Sequence, residues 1–360
     1  MKLLIMANFD VGLYQFRREL ITELLKNHEV LISLPDGDLV RPLEQMGCRF
    51  LNTPLDRRGI NPAKDLKLIG RYFRMLRQEK PDLVITYTIK PNIYGGIASR
   101  VLGIPYAANI TGLGTSFQKP GALRTVVTVL YRLALKRAKV VFFENQGNLQ
   151  TLLDMDIVTA EQCKCLNGAG VNLEHYAFSA YPASQKTTRF LFIGRVMAEK
   201  GVCELFEAMR QLRRNGFDCT LDVLGQFEEN FEMQIREGKA EGWLNYHGQQ
   251  KDVRPFIAQA HCFVLPSWHE GMANTNLECA AMGRPLITSR IHGCMEAVVE
   301  ETSGLLCEPK NANSLYEAME RFCRMPPEQR ASMGKMGRQH METLFDKRKV
   351  VADTVKGLGL

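Results

Sequence analysis

The sequence contains no apolar run as long as the ~18 residues that a membrane-spanning helix needs. Its opening stretch, MKLLIMANFDVG, has a short apolar segment, but Asp10 follows at once and no cleavage-type segment is present. We therefore expect a first strand there and not a signal peptide. The ten cysteines are scattered, and Cys163 and Cys165 have no second pair at zinc spacing. This usage is typical of reduced thiols in a cytosolic protein and does not favour a structural metal.

Two familiar phosphate-binding motifs are also missing. GxGxxG does not follow any predicted strand, since Gly112 and Gly114 lack a third glycine, and no Walker-type loop is present. Dinucleotide-binding and ATP-binding functions are therefore disfavoured. The seven histidines show no metal-ligand spacing, so we expect neither a metal nor another cofactor.

Acidic residues are absent from one long stretch. Between Asp82 and Glu144 there is none, while eight basic residues occur. Residues 1–180 hold 23 lysines and arginines against 16 acidic residues, whereas residues 181–360 hold 23 of each. Nearly all of the basic excess therefore lies in the first half. Such asymmetry indicates an anionic partner, either a membrane surface, a phosphorylated substrate or a nucleic acid.

Strand and helix patterns alternate in both halves of the chain. A length of 360 residues exceeds one typical domain. Strands separated by helices imply parallel sheets that are covered on both faces. We therefore predict two doubly wound α/β domains and a cleft. The predicted strands are residues 2–7, 29–34, 48–51, 82–88, 106–110 and 139–144, then 189–194, 219–225, 243–248, 262–266, 285–288 and 304–308.

A segment rich in small and polar residues separates the two alternations. Residues 168–187 are rich in glycine, alanine and serine, which is typical of an interdomain crossing. The predicted domains are therefore residues 1–167 and 188–335. Residues 336–360 are predicted to form a helical tail that packs back on the first domain.

The stretch from Ser267 to Thr288, SWHEGMANTNLECAAMGRPLIT, is predicted to form a loop and then a short helix. Asn274 is the expected N-cap and Gly283 the expected stop. Glu270 lies in the loop, and Glu278 lies about one turn inside the helix. Backbone N–H groups at such a helix start suit phosphate or sugar oxygens, and carboxylates accept sugar hydroxyls. The pattern favours a nucleotide-sugar site, although two glutamates at this spacing also occur by chance.

Two cations flank the loop that follows the strand at 189–194. Arg195 and Lys200 lie in GRVMAEKG, just before a predicted helix at 202–215. A guanidinium and an ammonium near a helix start would together hold a diphosphate. The alternative is that both are ordinary surface charges.

Four segments of the second half resemble a known family. GRVMAEKG, HGQQKDV, HEGMANTNLECAAMGRPLIT and SGLLCEP closely resemble the retaining glycosyltransferases of family 4, which have the GT-B fold of two Rossmann-like domains facing across a cleft. Glu270, seven residues and Glu278 form that family's signature. In the first half, NFDVGLYQFRREL, TYTIKPNIYGGIASRVLGIPY and NITGLGTSF resemble bacterial members that add an N-acetylhexosamine, often N-acetylgalactosamine, to a sugar on a polyprenyl diphosphate.

The resemblance implies that the domain 1–167 binds the acceptor and the domain 188–335 binds the nucleotide-sugar. It also implies roles for particular residues. Glu270, Arg195 and Lys200 would be catalytic, with the two cations stabilising the departing UDP. Glu278 would bind the ribose hydroxyls, and the segment 248–253 would border the base. The residues implied in donor binding are Gly12, Arg195, Lys200, Glu270, Gly271, Met272, Ala273, Asn274 and Glu278.

The acceptor side departs from the family pattern. Many relatives place a histidine after the strand that corresponds to residues 106–110, but here Asn109 to Gly112 follow and no histidine is present. We name Lys90, Thr111 and Gly112 as candidates on the acceptor side. The sequence identifies no nucleophile, so the retention implied by the family favours front-face attack by the acceptor.

Two helices are predicted to contact a membrane surface. The helix at 62–79 carries a basic stripe of Lys64, Lys67, Arg71 and Arg74, and the helix at 121–137 mixes apolar and basic residues. Basic amphipathic helices lie on anionic bilayers. The alternative is a core-facing helix with a solvated basic side. We expect a cytoplasmic protein, peripheral on the cytoplasmic face of the inner membrane.

The leading hypothesis is transfer of an N-acetylhexosamine, with N-acetylgalactosamine as first choice, from a UDP-sugar to a polyprenyl-diphosphate-linked sugar in bacterial glycan assembly. The alternatives are a galactosyl- or N-acetylglucosaminyltransferase of the same fold, or a UDP-sugar 2-epimerase. A nucleic-acid-binding protein is disfavoured because no binding module or aromatic stacking motif is present.

Overall fold

The computed structural model describes residues 1–56, 61–114, 117, 121–183 and 186–360. The chain divides into two compact units, residues 1–169 with 347–360, and residues 170–346. The C-terminal segment that belongs to the first unit begins at Lys347, whereas the predicted tail begins at residue 336. Residues 184–185 of the predicted linker and 115–116 of the motif NITGLGTSF lie outside the described residues.

The sheet of the first unit is parallel wherever the described strands pair. Its strand order is β3-β2-β1-β4-β5-β6-β7. The short β7 was not predicted, because three residues are too few to show a strand pattern. The strands are β1 Lys2–Met6, β2 Glu29–Leu34, β3 Arg49–Asn52, β4 Leu83–Tyr87, β5 Tyr106–Ile110, β6 Val140–Phe143 and β7 Cys163–Cys165.

The helices of the first unit follow the predicted alternation. The Asn61 side chain caps α3 by accepting the N–H groups of Ala63 and Lys64, which sets the helix start at the predicted residue. The helices are α1 Asp10–Leu25, α2 Val40–Gln45, α3 Pro62–Glu79, α4 Gly96–Leu102 after a π-helical turn Pro91–Gly95, α5 Ala122–Leu135 and α6 Gln146–Asp154.

The first helix begins directly after the loop that follows β1. Helix α1 begins at Asp10, so Gly12 lies in the first helical turn. The Asp10 carboxylate accepts the N–H of Val11 at 2.8 Å and that of Leu39 at 2.8 Å. An acidic side chain in the first turn also complements the positive end of the helix dipole. Gly12 therefore lies on a helix rather than in a flexible loop.

The second unit repeats this architecture. Its strand order is β10-β9-β8-β11-β12-β13. The strands are β8 Thr188–Ile193, β9 Cys219–Leu224, β10 Leu244–Gly248, β11 Cys262–Leu265, β12 Leu286–Ser289 and β13 Gly304–Cys307. The helices are α7 Val202–Arg214, α8 Glu232–Ala240, α9 Arg254–Gln259, α10 Asn274–Ala281, α11 Ala312–Arg324 and α12 Pro327–His340. A π-helical turn Met341–Phe345 then leads to α13 Lys347–Leu358, which belongs to the first unit.

Both sheets have the Rossmann-like strand order, in which the direction of strand addition across the sheet reverses between the first and fourth strands. The residues of β4 and β11 are all buried, because helices cover both faces of a parallel sheet. The predicted pair of doubly wound α/β domains is confirmed. Ligands of such sheets bind at the carboxyl ends of the strands beside the reversal, which here means β1 with β4 and β8 with β11.

A fully buried arginine follows α10. The Arg284 guanidinium is 0% exposed. It donates to the carbonyl oxygens of Ile257 at 2.9 Å, Ser179 at 3.1 Å and Ala180 at 2.8 Å, and it lies 5.6 Å from the Tyr181 ring. Burial lowers the pKa of Arg284 to about 10. Arg284 thus ties the segment 179–181 to the end of α9 and the start of β12.

We expect Arg284→Met to lower the free energy of unfolding by ~3 kcal/mol or more, because each buried carbonyl left without a donor costs about 1–3 kcal/mol. Urea unfolding followed by fluorescence measures this loss. The matched control is Arg321→Met, since Arg321 is exposed and pairs only at the surface with Glu301. Equal unfolding midpoints for the two variants would show that the hydrogen bonds of the buried guanidinium do not stabilise the fold.

Candidate functional site

Two loops meet at the strand reversal of the second unit. The loop 194–201 follows β8, and the loop 266–273 follows β11. These strands are parallel neighbours, with Phe190 opposite Cys262 and Leu191 opposite Phe263. The carboxyl ends of both strands therefore lie at one edge of the sheet. This edge carries Arg195 and Lys200 on one loop and Glu270 on the other.

Lys200 and Glu270 contact each other directly. Lys200 Nζ donates to Glu270 Oε1, and Ser267 Oγ donates to the same oxygen at 2.8 Å. Their side chains are only 19% and 12% exposed, so the ion pair is weakly screened. The sequence placed both residues at one site but did not predict this contact. It holds an ammonium beside a carboxylate whose second oxygen makes no hydrogen bond within the described part of the chain and can accept hydroxyls.

Arg195 is placed more openly. Its Nη1 lies 3.5 Å from Glu228 Oε2, and its side chain is 47% exposed. An ion pair at this exposure is worth little. An incoming anion could therefore take the guanidinium from Glu228 at small cost.

Two glycines allow the loops to approach each other. Gly201 has φ +73°, and a Cβ there would lie 2.1 Å from the carbonyl oxygen of Pro266. Gly293 has φ +89°, and a Cβ there would lie 2.7 Å from the carbonyl oxygens of Glu270 and Gly271. Only glycine fits both the backbone conformation and the space. Neither glycine was predicted to have a role, although Gly201 ends the GRVMAEKG segment.

The start of α10 differs from the prediction. Asn274 is the first helical residue, and Ala273, which precedes it, makes no side-chain cap. The N–H of Ala273 donates to Gly293 at 2.7 Å, and the N–H of Asn274 donates to Met272 at 3.0 Å. The predicted Asn274 cap is therefore wrong. The hydrogen bond from Ala273 to Gly293 fixes Ala273 at the N-cap position, so Asn274 is already inside the helix. Among the described residues, the Met272 N–H donates to no protein acceptor.

Glu278 lies one turn inside α10, half-buried, as predicted. It contacts the Tyr176 hydroxyl: burial raises the pKa of Tyr176 first, and the Glu278 carboxylate raises it further. Tyr176 therefore fixes the orientation of this carboxylate. No local pattern points to Tyr176, because about a hundred residues of chain separate it from Glu278.

His269 has a neighbour of its own. Its Nε2 lies 3.6 Å from Glu199 Oε2. Burial lowers the pKa of His269, although Glu199 and Glu270 act in the opposite direction. The imidazole is therefore neutral at pH 7, and it can act as a hydrogen-bonding group beside Glu270 but not as a cation.

The acceptor-side candidates lie in the first unit. Lys90 and Thr111 follow β4 and β5, and Gly12, which is implied in donor binding, follows β1. These strands are neighbours in the sheet, so all three residues lie at its carboxyl edge. Gly112, with φ +147°, follows Thr111 there. Lys90 Nζ lies 2.7 Å from Asp65 Oδ1 at the start of α3, and both side chains are largely buried. Lys90 is thus held in place rather than extended into solvent.

Thr88 is a residue that sequence reasoning missed. It follows β4 with φ +73°, which is an outlier for a β-branched side chain. The backbone below it is fixed by a buried network, in which Thr86 Oγ1 donates to Asn92 Oδ1 at 2.7 Å and Asn92 Nδ2 donates to the Asn109 carbonyl at 2.8 Å. Backbone strain of this kind clusters at active sites and ligand-binding segments, and no local sequence pattern predicts it.

Two Rossmann-like units, with a cation pair and an oriented carboxylate at the strand reversal of the second, define the class of this protein. It has the GT-B fold of the glycosyltransferases. Residues 187–324 match the family described as glycosyl transferases group 1, and residues 12–163 match the glycosyl transferase 4-like domain. The two matches together cover most of the chain, and the protein is a glycosyltransferase.

Solved structures share the fold over the whole chain. A glycosyltransferase from Rickettsia africae has a TM-score of 0.82 at 16% identity and covers 99% of this chain and 97% of its own. HepE of Anabaena, in complex with UDP and glucose, has a TM-score of 0.82 at 17% identity and covers 100% and 99%. The predicted GT-B fold is confirmed.

Curated relatives are more similar in sequence. The N,N'-diacetylbacillosaminyl-diphospho-undecaprenol alpha-1,3-N-acetylgalactosaminyltransferase of Campylobacter jejuni is 27% identical over 335 residues, covering 88% of each chain. The UDP-Gal:alpha-D-GlcNAc-diphosphoundecaprenol alpha-1,3-galactosyltransferase of Escherichia coli is 26% identical over 321 residues, covering 83% of this chain and 81% of its own. The predicted activity class is confirmed, whereas the individual residue roles stay predictions.

Proposed function

We propose that this enzyme transfers an N-acetylhexosamine, with N-acetylgalactosamine as first choice, from a UDP-sugar to a sugar on a polyprenyl diphosphate. The product would enter a bacterial surface glycan or glycoprotein glycan. The names of the Campylobacter and Escherichia relatives support this acceptor class, since both act on sugars linked to undecaprenyl diphosphate. The observation that carries the proposal is the Lys200–Glu270 pair at the strand reversal.

In this proposal the donor diphosphate lies between Arg195 and Lys200. The bond between the anomeric carbon and the phosphate oxygen breaks, and UDP leaves with the electron pair. Charge grows on the departing oxygens, where preorganised cations stabilise the transition state most. Glu270 accepts hydroxyls of the donor sugar and orients its ring.

The acceptor hydroxyl attacks the same face of the sugar that UDP leaves, so the configuration is retained. Its proton passes to the departing phosphate oxygen, which balances the step without a protein base. This arrangement agrees with the absence of an assigned nucleophile. Thr111, Gly112 and Lys90 are the acceptor-side candidates at the carboxyl edge of the first sheet.

A panel of donors tests this function. UDP-GalNAc, UDP-galactose and UDP-GlcNAc are each incubated with short-chain polyprenyl-diphosphate monosaccharides, and products are identified by mass and linkage. We expect an α-linked disaccharide only when donor and lipid are both present. Preference for UDP-galactose would favour the activity named for the Escherichia relative. Donor conversion without lipid would indicate an epimerase and overturn the proposal.

An apolar stripe on α5 supports a membrane-bound site of action. Leu123, Val126, Val129 and Leu133 are each 40–55% exposed, and their spacing of three and four residues places them on one face. The neighbouring Arg132, Lys136 and Arg137 are also exposed. Among the described residues, none of the helices is both long enough and apolar enough to pass through a bilayer.

We propose that α5 lies on an anionic bilayer, with its apolar face in the headgroup boundary and its cations on lipid phosphates. Helix α3 contributes differently: it buries Leu68, Tyr72 and Leu76 and turns its basic stripe to solvent. That stripe adds only electrostatic attraction. The proposed location is peripheral, on the cytoplasmic face of the inner membrane.

We expect Leu123→Gln, Val126→Gln and Val129→Gln together to weaken binding to anionic vesicles at least tenfold. Partial burial of three such side chains is worth ~1.5–3 kcal/mol. Vesicle sedimentation measures the binding. The matched control is Met233→Gln, because Met233 is an exposed apolar residue on α8. Unchanged vesicle binding by the triple variant would show that α5 does not contact the bilayer.

Neutralising the basic stripe of α3 should instead reduce the salt dependence of vesicle binding. The residues to be changed are Lys64, Lys67, Arg71 and Arg74.

A further inference from the structure

A pocket of about 140 Å³ lies at the opposite edge of the second sheet from Glu270. Thr188 begins β8, Asp218 precedes β9 and His261 precedes β11, and all three line it. The edge is therefore formed by amino ends of strands. Since β8 is six residues long, about 20 Å separates this pocket from the loops that carry Arg195 and Lys200.

His261 is a lining residue of this pocket and carries a titratable ring. Its side chain is 3% exposed, and its Nδ1 accepts the Arg189 N–H at 3.0 Å. Because Nδ1 is an acceptor, the proton of the neutral ring lies on Nε2. The Tyr181 hydroxyl donates to the His261 carbonyl at 3.0 Å and holds the residue in place. Among the described residues no hydrogen bond is found for Nε2, so this N–H is left for an occupant of the pocket.

The charges around His261 are positive. Burial lowers the pKa of His261 to about 4, and the charges that add to this effect are those of Arg330, Arg189 and Arg284. Asp218 is engaged elsewhere, since it accepts the Thr187 hydroxyl at 2.8 Å and lies 3.5 Å from Arg213.

Two cations line the pocket wall. Arg330 is fixed, because its Nε donates to the Met325 carbonyl at 3.0 Å and its Nη1 donates to Thr188 Oγ1 at 3.3 Å. Lys186 is exposed and pairs with no group in the described ranges. One cation is thus rigid, and the other is free to close over an occupant.

We propose that this pocket binds a small oxyanion, a phosphate ion or a phosphomonoester group, through His261 Nε2–H, Arg330 and Lys186. Its volume lies below the ~300 Å³ at which pockets for drug-sized ligands begin, so it does not take a nucleotide-sugar. The site is separate from the donor loops and goes beyond the proposed transferase function. Its occupant would stabilise the second unit by mass action.

Thermal unfolding in inorganic phosphate tests the proposal, with ionic strength balanced by sodium chloride and the donor site saturated with UDP. We expect a saturable rise in the unfolding temperature and at least a fivefold weaker phosphate response in Lys186→Met. Lys186→Met should bind UDP as the unaltered protein does. A parallel arm with glycerol 1-phosphate distinguishes the free ion from a phosphomonoester.

Ring ¹H–¹⁵N spectra supply a second reading. We expect His261 to show protonated Nε2 and a phosphate-dependent shift of that signal. Lys200→Met, which alters the donor loops instead, should keep the phosphate response. Any of three results would show that the pocket holds water only. The phosphate response could be no larger than that of chloride, it could survive Lys186→Met, or the ring signal could stay unmoved by phosphate.

Discussion

Glu270→Gln is expected to lower the turnover of sugar transfer by about 10²- to 10³-fold, which corresponds to ~3–4 kcal/mol of barrier. The glutamine keeps the shape of the side chain and one acceptor oxygen, but it removes the charge that pairs with Lys200 and receives the Ser267 hydroxyl. Lys200 would then be freer to bind diphosphate. We therefore expect UDP affinity to hold or rise while turnover falls.

The control for this variant is a nearby carboxylate. The Glu199 carboxylate lies 3.6 Å from His269 Nε2 in the same pair of loops, whereas the described partner of Lys200 Nζ and Ser267 Oγ is Glu270. Glu199→Gln should keep near-normal turnover. Steady-state kinetics gives turnover, and calorimetric titration gives UDP affinity. A folded Glu270→Gln enzyme with near-normal turnover would contradict the assignment, and Glu270→Ala should be inactive for the same reason.

Gly201→Ala is expected to damage both stability and donor binding. Alanine in the left-handed region costs ~1–2 kcal/mol, and its Cβ would also lie 2.1 Å from the Pro266 carbonyl oxygen. That oxygen belongs to the backbone, so a side-chain rotation cannot relieve the clash. The loops after β8 and β11 must separate, which moves Lys200 away from Glu270. We expect a loss of unfolding free energy above about 3 kcal/mol and a loss of UDP binding.

Gly216 provides a matched comparison. It has φ +81°, close to that of Gly201, but a Cβ there would meet nothing within 4 Å. Gly216→Ala therefore carries the backbone strain without the clash. Urea unfolding and UDP titration of both variants separate the two costs. Equal losses in the two proteins would mean that the close approach at Pro266 does not matter.

Much of the fold was predictable because local and global signals agree. Helix α3 has its cap at Asn61, a proline at its first position and three apolar residues on one face. The strands β1 and β5 were predicted within one residue, since buried parallel strands are short apolar runs. Gly283 ended α10 as predicted, with φ +78°. Each of these features depends on neighbours in the sequence.

The unpredicted features depend on contacts between distant segments. Asn274 is a good capping residue, but the tertiary bond from Ala273 to Gly293 decides where α10 begins. The contact of Lys200 with Glu270 spans 70 residues, and its existence depends on how two loops turn. Thr88 adopts a left-handed conformation that its residue type disfavours. A single sequence places such residues at one edge of a sheet but does not say which atoms meet.

The glycine at position 293 has a consequence for engineering donor choice. The segment bearing Glu270 is moulded against two other stretches of main chain, one ending in Gly201 and one centred on Gly293. A chimera that takes this segment alone from another transferase would pack a foreign backbone against native segments whose shape does not match it. A workable graft must transplant all three stretches together.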